Sequence, residues 1–131
     1  MSARNSDPPR PTDAELEILT VLWSRGPSTV REVHETIAAR RPAQYTTILK
    51  FLQIMAEKGL VRRDEKNRAH VYQATRPRQW TERQLAGDLL RRGFGGSAAR
   101  LLVGALSARK ASKEELAELR CLLDEYEKGM R

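Results

Sequence analysis

A chain of 131 residues, 40% hydrophobic and 31% charged, can hold one modest core or two small ones. Its 24 Lys+Arg exceed its 17 Asp+Glu, and the net +7 favours a polyanionic partner while also keeping a protein in solution. One cysteine, Cys121, excludes an internal disulfide, no apolar run reaches the roughly 18–20 residues of a membrane span, and no apolar signal core opens the chain; a cytoplasmic protein is expected.

Residues 1–11 are rich in Ser, Asn, Asp, Arg and Pro, too polar to offset the entropy of ordering, and predict a flexible arm; Arg4 and Arg10 suit a contact with DNA, and a passive tail is the plainer reading. Thr12 and Glu15 form a capping box that opens a first helix, running to about Ser24 with Leu16, Leu19, Leu22 and Trp23 on its apolar side. Gly26-Pro27 stops it. Thr29 and Glu32 repeat the capping pattern, and a second helix runs to about Arg40, burying Val30, Val33 and Ile37. Arg40-Arg41-Pro42-Ala43 is a tight connection into a third helix that ends at Gly59.

In that third helix Tyr45, Ile48, Leu49, Leu52 and Met55 recur at three- and four-residue steps and form an apolar stripe. The opposite face shows Gln44, Thr46, Thr47, Lys50 and Gln53, with no carboxylate before Glu57. Short hydrogen-bonding groups and a cation suit a DNA major groove, whose base edges offer donors, acceptors and thymine methyls. Two helices on a short turn, the second with a readable face, are a helix-turn-helix arrangement.

After Gly59 the period shortens. Leu60 to Arg63 and Ala69 to Ala74 read as two strands about a charged turn, a wing whose tip carries Lys66 and Arg68. Cations there suit a phosphate backbone; a solvated hairpin tip is the plainer reading. Thr75-Arg76-Pro77-Arg78 is a hinge. Beyond it the chain is helical: one helix from near Thr81 with Leu85, Leu89 and Leu90, a second capped by Ser97 with Leu101, Leu102, Val103 and Leu106, and a third opened by a Ser112–Glu115 capping box with Leu116, Leu119, Leu122, Leu123 and Tyr126. Three short leucine-rich helices make a poor independent core, so a homodimer through residues 80–131 is expected. Charge is uneven: residues 1–78 carry 14 Lys+Arg and 9 Asp+Glu, net +5, against 10 and 8, net +2, in residues 79–131.

The fold expected is mainly α with a small β-hairpin: an arm over 1–11, a winged helix-turn-helix domain over 12–76 and a three-helix dimerisation domain over 77–131. The candidate DNA contacts are Gln44, Thr46, Thr47 and Lys50 on the third helix, Arg40 and Arg41 in the turn, and Lys66 and Arg68 on the wing. Gln44 reads adenine or serves as a cap; Tyr45 packs as core or meets the backbone. The candidate dimer contacts are Leu85, Leu89, Leu101, Leu102, Leu106, Leu116, Leu119, Leu122 and Leu123. His34 and His70 with one distant cysteine give no metal spacing, and a solvated histidine is the default; no cofactor is expected. Cys121 reads as a small core or interface residue. With no Gly-rich phosphate loop, paired catalytic carboxylates or Cys/His dyad, an enzyme is not expected. The competing reading is a winged-helix module that binds protein without DNA, which Phe51 and Ile54 would serve.

These residues resemble the BlaI/MecI-type penicillinase repressors, a winged-helix family that also includes copper-responsive CopY-type relatives. The resemblance covers about residues 12–126. It rests on Thr12-Asp13-Ala14-Glu15-Leu16-Glu17-Ile18-Leu19 with Leu22-Trp23, on Thr29-Val30-Arg31-Glu32-Val33, on Tyr45-Thr46-Thr47-Ile48 with Leu52, on Glu57-Lys58-Gly59-Leu60-Val61, and on Asn67-Arg68-Ala69-His70-Val71-Tyr72. It implies a homodimer on a palindromic double-stranded operator that silences transcription, and a sensor-protease partner that relieves repression by cleaving the dimerisation domain. The family's scissile pair is Asn-Phe, whereas the corresponding stretch here is Leu101-Leu102-Val103-Gly104-Ala105-Leu106. The copper-responsive branch carries a C-terminal cysteine cluster, whereas this chain has Cys121 alone. Family members often carry a basic residue where Ile54 stands.

Overall fold

The computed structural model describes residues 10–66 and 68–130. The arm expected over 1–11, Arg4 included, lies almost wholly outside them, as does Asn67 of the wing tip. Six helices and three strands are found among the described residues. None of these helices is long and apolar enough to cross a membrane.

The first helix, α1, spans Asp13–Arg25, and its capping box closes both ways: Thr12 N–H donates to Glu15 Oε1 at 2.9 Å and Glu15 N–H to Thr12 Oγ1 at 3.3 Å. The second, α2, spans Val30–Ala38 behind the same reciprocal pair, Thr29 and Glu32, at 2.9 and 3.2 Å. It stops before Arg40 because the N–H groups of Arg40 and Arg41 both turn back to the Ile37 carbonyl, at 2.9 and 3.1 Å. The third, α3, spans Tyr45–Lys58 and ends on Gly59, at φ 84° and ψ 11°. There a side chain would crowd the backbone, and Leu60 N–H closes the turn on the Met55 carbonyl at 2.9 Å.

The wing is β2 (Val61–Asp64) and β3 (Val71–Ala74), antiparallel with Val61 opposite Ala74 and Asp64 opposite Val71. The expected hairpin is present, but the sheet has a third strand, β1 (Ser28–Thr29), in the order β1-β3-β2. Pro27 and the extended cap residue Thr29 hold this dipeptide straight, so it pairs with β3, Ser28 opposite Tyr72. Ile18 and Leu22 of α1, Val33 and Ile37 of α2, Ile48, Leu52 and Met55 of α3, and Tyr72 of β3 pack into one core. Tyr45, expected on the apolar stripe, is 45% exposed: it sits in the first turn of α3, where the helix has already left the core.

The residues of the expected hinge make contacts within the first part of the chain. Thr75 Oγ1 donates to the Gly59 carbonyl at 2.7 Å, and Trp23 Nε1–H donates to the Arg76 carbonyl at 3.0 Å. The next helix, α4 (Arg78–Gly93), starts directly after Pro77, three residues before the expected Thr81. Proline is tolerated at a helix start, where its missing N–H would have had no partner.

The chain divides into two compact units, the first ending at Ala86 and the second beginning at Gly87. The first takes in the opening turns of α4, where Thr81 is buried. The second contains α5 (Ala98–Ala108) and α6 (Lys113–Gly129). Ser97 and Ser112 cap them. The box expected at Ser112 closes one way only: Glu115 N–H donates to Ser112 Oγ at 3.0 Å, while the Glu115 carboxylate turns to Arg109.

Candidate nucleic-acid interface

Burial of Ile48, Leu52 and Met55 fixes the rotation of α3 and turns its other side outward. Gln44, Thr46, Thr47, Lys50 and Gln53 are all exposed. Among the described residues, none of these five side chains has a hydrogen-bond or ion-pair partner. Gln44 occupies the N-cap position without capping, whereas Thr12, Thr29, Ser97 and Ser112 cap their helices. The first-turn N–H groups of α3 therefore stay open to an outside acceptor.

A groove runs between this face and the sheet, lined by Thr29, Arg31, Tyr45, Gln53, Arg63, Arg68 and His70 among others. The Arg63 guanidinium is held by Glu65, with Nε–H donating at 2.8 Å. Arg31 and Arg68 have no partner among the described residues, so their charge is available to an anion lying in the groove. Arg68 was expected here and Arg31 was not; for Tyr45 a place beside the DNA backbone was the lesser of the two expectations. The pairing of β1 with β3 draws the start of α2 beside the wing, and a two-residue strand leaves no pattern in the sequence to announce it.

The turn arginines differ. Arg40 is exposed and its side chain makes no hydrogen bond or close ion pair among the described residues, although its charge also acts on Glu17. Arg41 grips Glu17 of α1, its Nε–H 3.1 Å from each carboxylate oxygen, and its Nη1 donates to the Pro42 carbonyl at 3.0 Å. The hydrogen bond from Arg41 holds the Glu17 carboxyl below the ordinary carboxylate range. On the wing, Lys66 N–H donates to Asp64 Oδ1 at 2.9 Å, which folds the tip and leaves the Lys66 side chain exposed.

His34 departs from the solvated default. Its Nε2 lies 2.8 Å from the Ala43 carbonyl, and its ring meets that of Tyr45 edge-on at 5.8 Å. A carbonyl only accepts, so Nε2 carries the proton and His34 ties α2 to the entry of α3. Cys121, expected in a core or interface, is exposed on α6 within the single chain.

In the second unit the apolar groups lack cover. Neither α5 nor α6 has a buried residue. Of the expected dimer contacts, Leu89, Leu102, Leu122 and Leu123 are 52%, 36%, 42% and 61% exposed, and Leu85, Leu101, Leu106, Leu116 and Leu119 are half-buried.

The family model described as penicillinase repressor matches residues 11–125. A transcriptional regulator BlaI from Mycobacterium tuberculosis is 48% identical over 61 residues, 46% of this chain and 44% of that protein. The match thus spans less than half the length of that relative. A penicillinase repressor from Bacillus licheniformis is 25% identical over 118 residues, 90% of this chain and 92% of that one. Among solved structures, the DNA-binding domain of the repressor BlaI matches with a TM-score of 0.50 at 25% identity, covering 55% of this chain and 88% of that domain.

Proposed function

The chain belongs to the penicillinase-repressor family, and from that premise we propose that it is a sequence-specific transcriptional repressor, a homodimer that occupies a palindromic double-stranded operator. The observation that carries the proposal is the outward face of α3, where Gln44, Thr46, Thr47 and Lys50 stand exposed without partners among the described residues. Helix α3 enters the major groove. Thr46, Thr47 and Gln44 meet base edges, and Lys50 meets a guanine or a phosphate. Arg40 in the turn, Lys66 and Arg68 on the wing, and Arg31 at the start of α2 hold the flanking phosphates and release counterions. Arg41 contributes by bracing α1 against the turn through Glu17.

A second copy covers the exposed leucines of α4, α5 and α6. This sets two α3 helices in successive major grooves, about 34–36 Å or a small multiple of that apart. Bound there, in the cytoplasm, the dimer excludes transcription. The sensor-protease route has no Asn-Phe bond to act on at Leu101–Leu106, so relief of repression runs through another signal or another bond.

The test is fluorescence anisotropy on duplexes tiled across the protein's own promoter. Thr47→Ala and Lys50→Ala should abolish binding to the retained duplex without moving the melting curve. Unchanged affinity in both variants would refute the role of this face.

A further inference from the structure

Thr47 lies three and four residues before Lys50 and Phe51, and Ile54 four and three residues after them, so the four share one side of α3. With Thr46 they line a shallow hollow on the outer surface of the helix. Phe51 packs against the edge of the core and is half-buried, and Ile54 is half-buried beside it. The threonines add two methyl groups, and the one charge lining the hollow is that of Lys50. An apolar hollow on the solvent side of a helix, set among the candidate DNA contacts, suits an apolar group of the partner. Its surroundings decide what that is. Lys50 borders it without a partner among the described residues, and α3 carries no carboxylate before Glu57, so the occupant is an apolar group carried by a polyanion. In a DNA major groove that group is the C5-methyl of thymine, which cytosine lacks and which no hydrogen bond can read.

We propose that Phe51 and Ile54, with the methyls of Thr46 and Thr47, form an apolar reader of thymine methyl groups in each operator half-site. The proposal rests on the DNA-binding reading above and adds to it how that DNA is told apart: shape and methyl contacts carry part of the sequence preference alongside hydrogen bonds. It also gives Phe51 and Ile54 a role that needs no protein partner.

The test replaces thymine by deoxyuridine, one position at a time, in a promoter duplex that the full-length protein retains. Uracil pairs as thymine does and lacks only the methyl. One or two positions per half-site should weaken wild-type binding about fourfold each, the scale of losing one buried methyl. At those positions Ile54→Ala should bring the thymine-to-uracil ratio toward one, and Phe51→Leu, which keeps the packing against the core, should lower it. Phe51→Ala is the sharper variant if its melting curve shows it folded; the uracil series and Ile54→Ala decide the matter without it. Equal affinity for thymine and uracil at every position would overturn the methyl reader and leave DNA binding standing. A uracil penalty unaltered in Ile54→Ala and Phe51→Leu would overturn it as well. Retention of no duplex at all would remove this inference together with the function beneath it.

Discussion

Lys58 Nζ donates to Glu15 Oε2 at 2.8 Å, joining the last turn of α3 to the first turn of α1 across 43 residues of chain. Glu15 is 2% exposed and its other oxygen accepts from Thr12 N–H. One carboxylate thus caps α1 and anchors the C-terminal end of α3, the helix that carries Thr47 and Lys50. A buried carboxylate is tolerated because its oxygens are occupied: the ammonium on one side, the cap on the other.

Removing Lys58 should expose that dependence. Lys58→Met keeps the methylene stem and deletes the charge, leaving Glu15 buried without its cation; a loss of about 1–3 kcal/mol is expected in urea melts at pH 7. The pH profile checks the cause. Burial pushes the Glu15 carboxyl up, but the Lys58 hydrogen bond and charge and the Thr12 cap together hold it below its ordinary value of 4.5. A carboxyl lowered by folding contributes fully above its unfolded value and loses that contribution as pH falls through the folded one. Wild type should therefore lose stability as pH drops below about 4.5, and Glu15→Gln should lose less over that window. Parallel profiles would mean that the pair does not set the acid response.

How much of this was legible follows the range of the interaction. The Thr12–Glu15 and Thr29–Glu32 boxes and the Gly59 stop are local chemistry, and each stands where spacing alone put it. Glu15 was legible as a cap; that the same carboxylate meets Lys58 depends on how α1 crosses α3, which periodicity does not encode. Strand β1 escaped because two residues cannot show alternation. Tyr45 has the right spacing for the apolar stripe, yet burial also depends on where along the helix the core ends. On the candidate interface, the outward face of α3 was readable as the complement of its stripe. Arg31 was not, because only the sheet brings it to the groove. Arg41 and Arg40 are equivalent by sequence, and only the fold sets the Glu17 carboxylate against the Arg41 guanidinium.

Trp23 tests whether the Thr75–Arg78 connection is fastened. Its indole N–H bonds the Arg76 carbonyl, the Arg78 guanidinium lies 5.7 Å from its ring centre, and Arg76 lies 4.5 Å over Trp80. Trp23→Phe keeps an aromatic surface and deletes the donor, so a loss of about 1 kcal/mol is expected. Amide hydrogen exchange gives the sharper readout. Thr75 N–H, bonded to the Leu60 carbonyl at 3.1 Å, should exchange faster in the variant. An unchanged rate there would mean that the connection is held by the Thr75 contacts alone.

Arg40 and Arg41 are adjacent in sequence and should behave differently on DNA. The Arg40 side chain makes no hydrogen bond or close ion pair among the described residues and feels Glu17 only at a distance, so Arg40→Ala should weaken binding to all duplexes alike and reduce the slope of log affinity against log salt by about 0.9, the value for one phosphate contact. Arg41 is engaged with Glu17, so Arg41→Ala should leave that slope nearly intact and instead lower the melting temperature slightly, since the pair is partly exposed. Equal losses of slope would show that the Glu17 pair opens on DNA and that both arginines reach phosphate.

The second unit makes the strongest demand on a second copy. A chain segment of this size with no buried residue in α5 or α6 lacks a core of its own, yet it presents Leu102, Val103, Leu122, Leu123 and Tyr126 to solvent. Association would cover them in a symmetric pair. Leu122→Ser with Leu123→Ser removes two of these groups without touching a cap, and Leu89→Ser tests α4 separately. Sedimentation should find wild type as two copies and the double variant as one at micromolar concentration. Operator affinity should fall with it, by about 10²–10⁴, because two linked half-site contacts become independent ones. The affinity for a single half-site should not change, since α3 and the wing lie in the other unit. A double variant that stays paired would place the interface elsewhere on α4, α5 or α6, with Leu89→Ser the variant to follow.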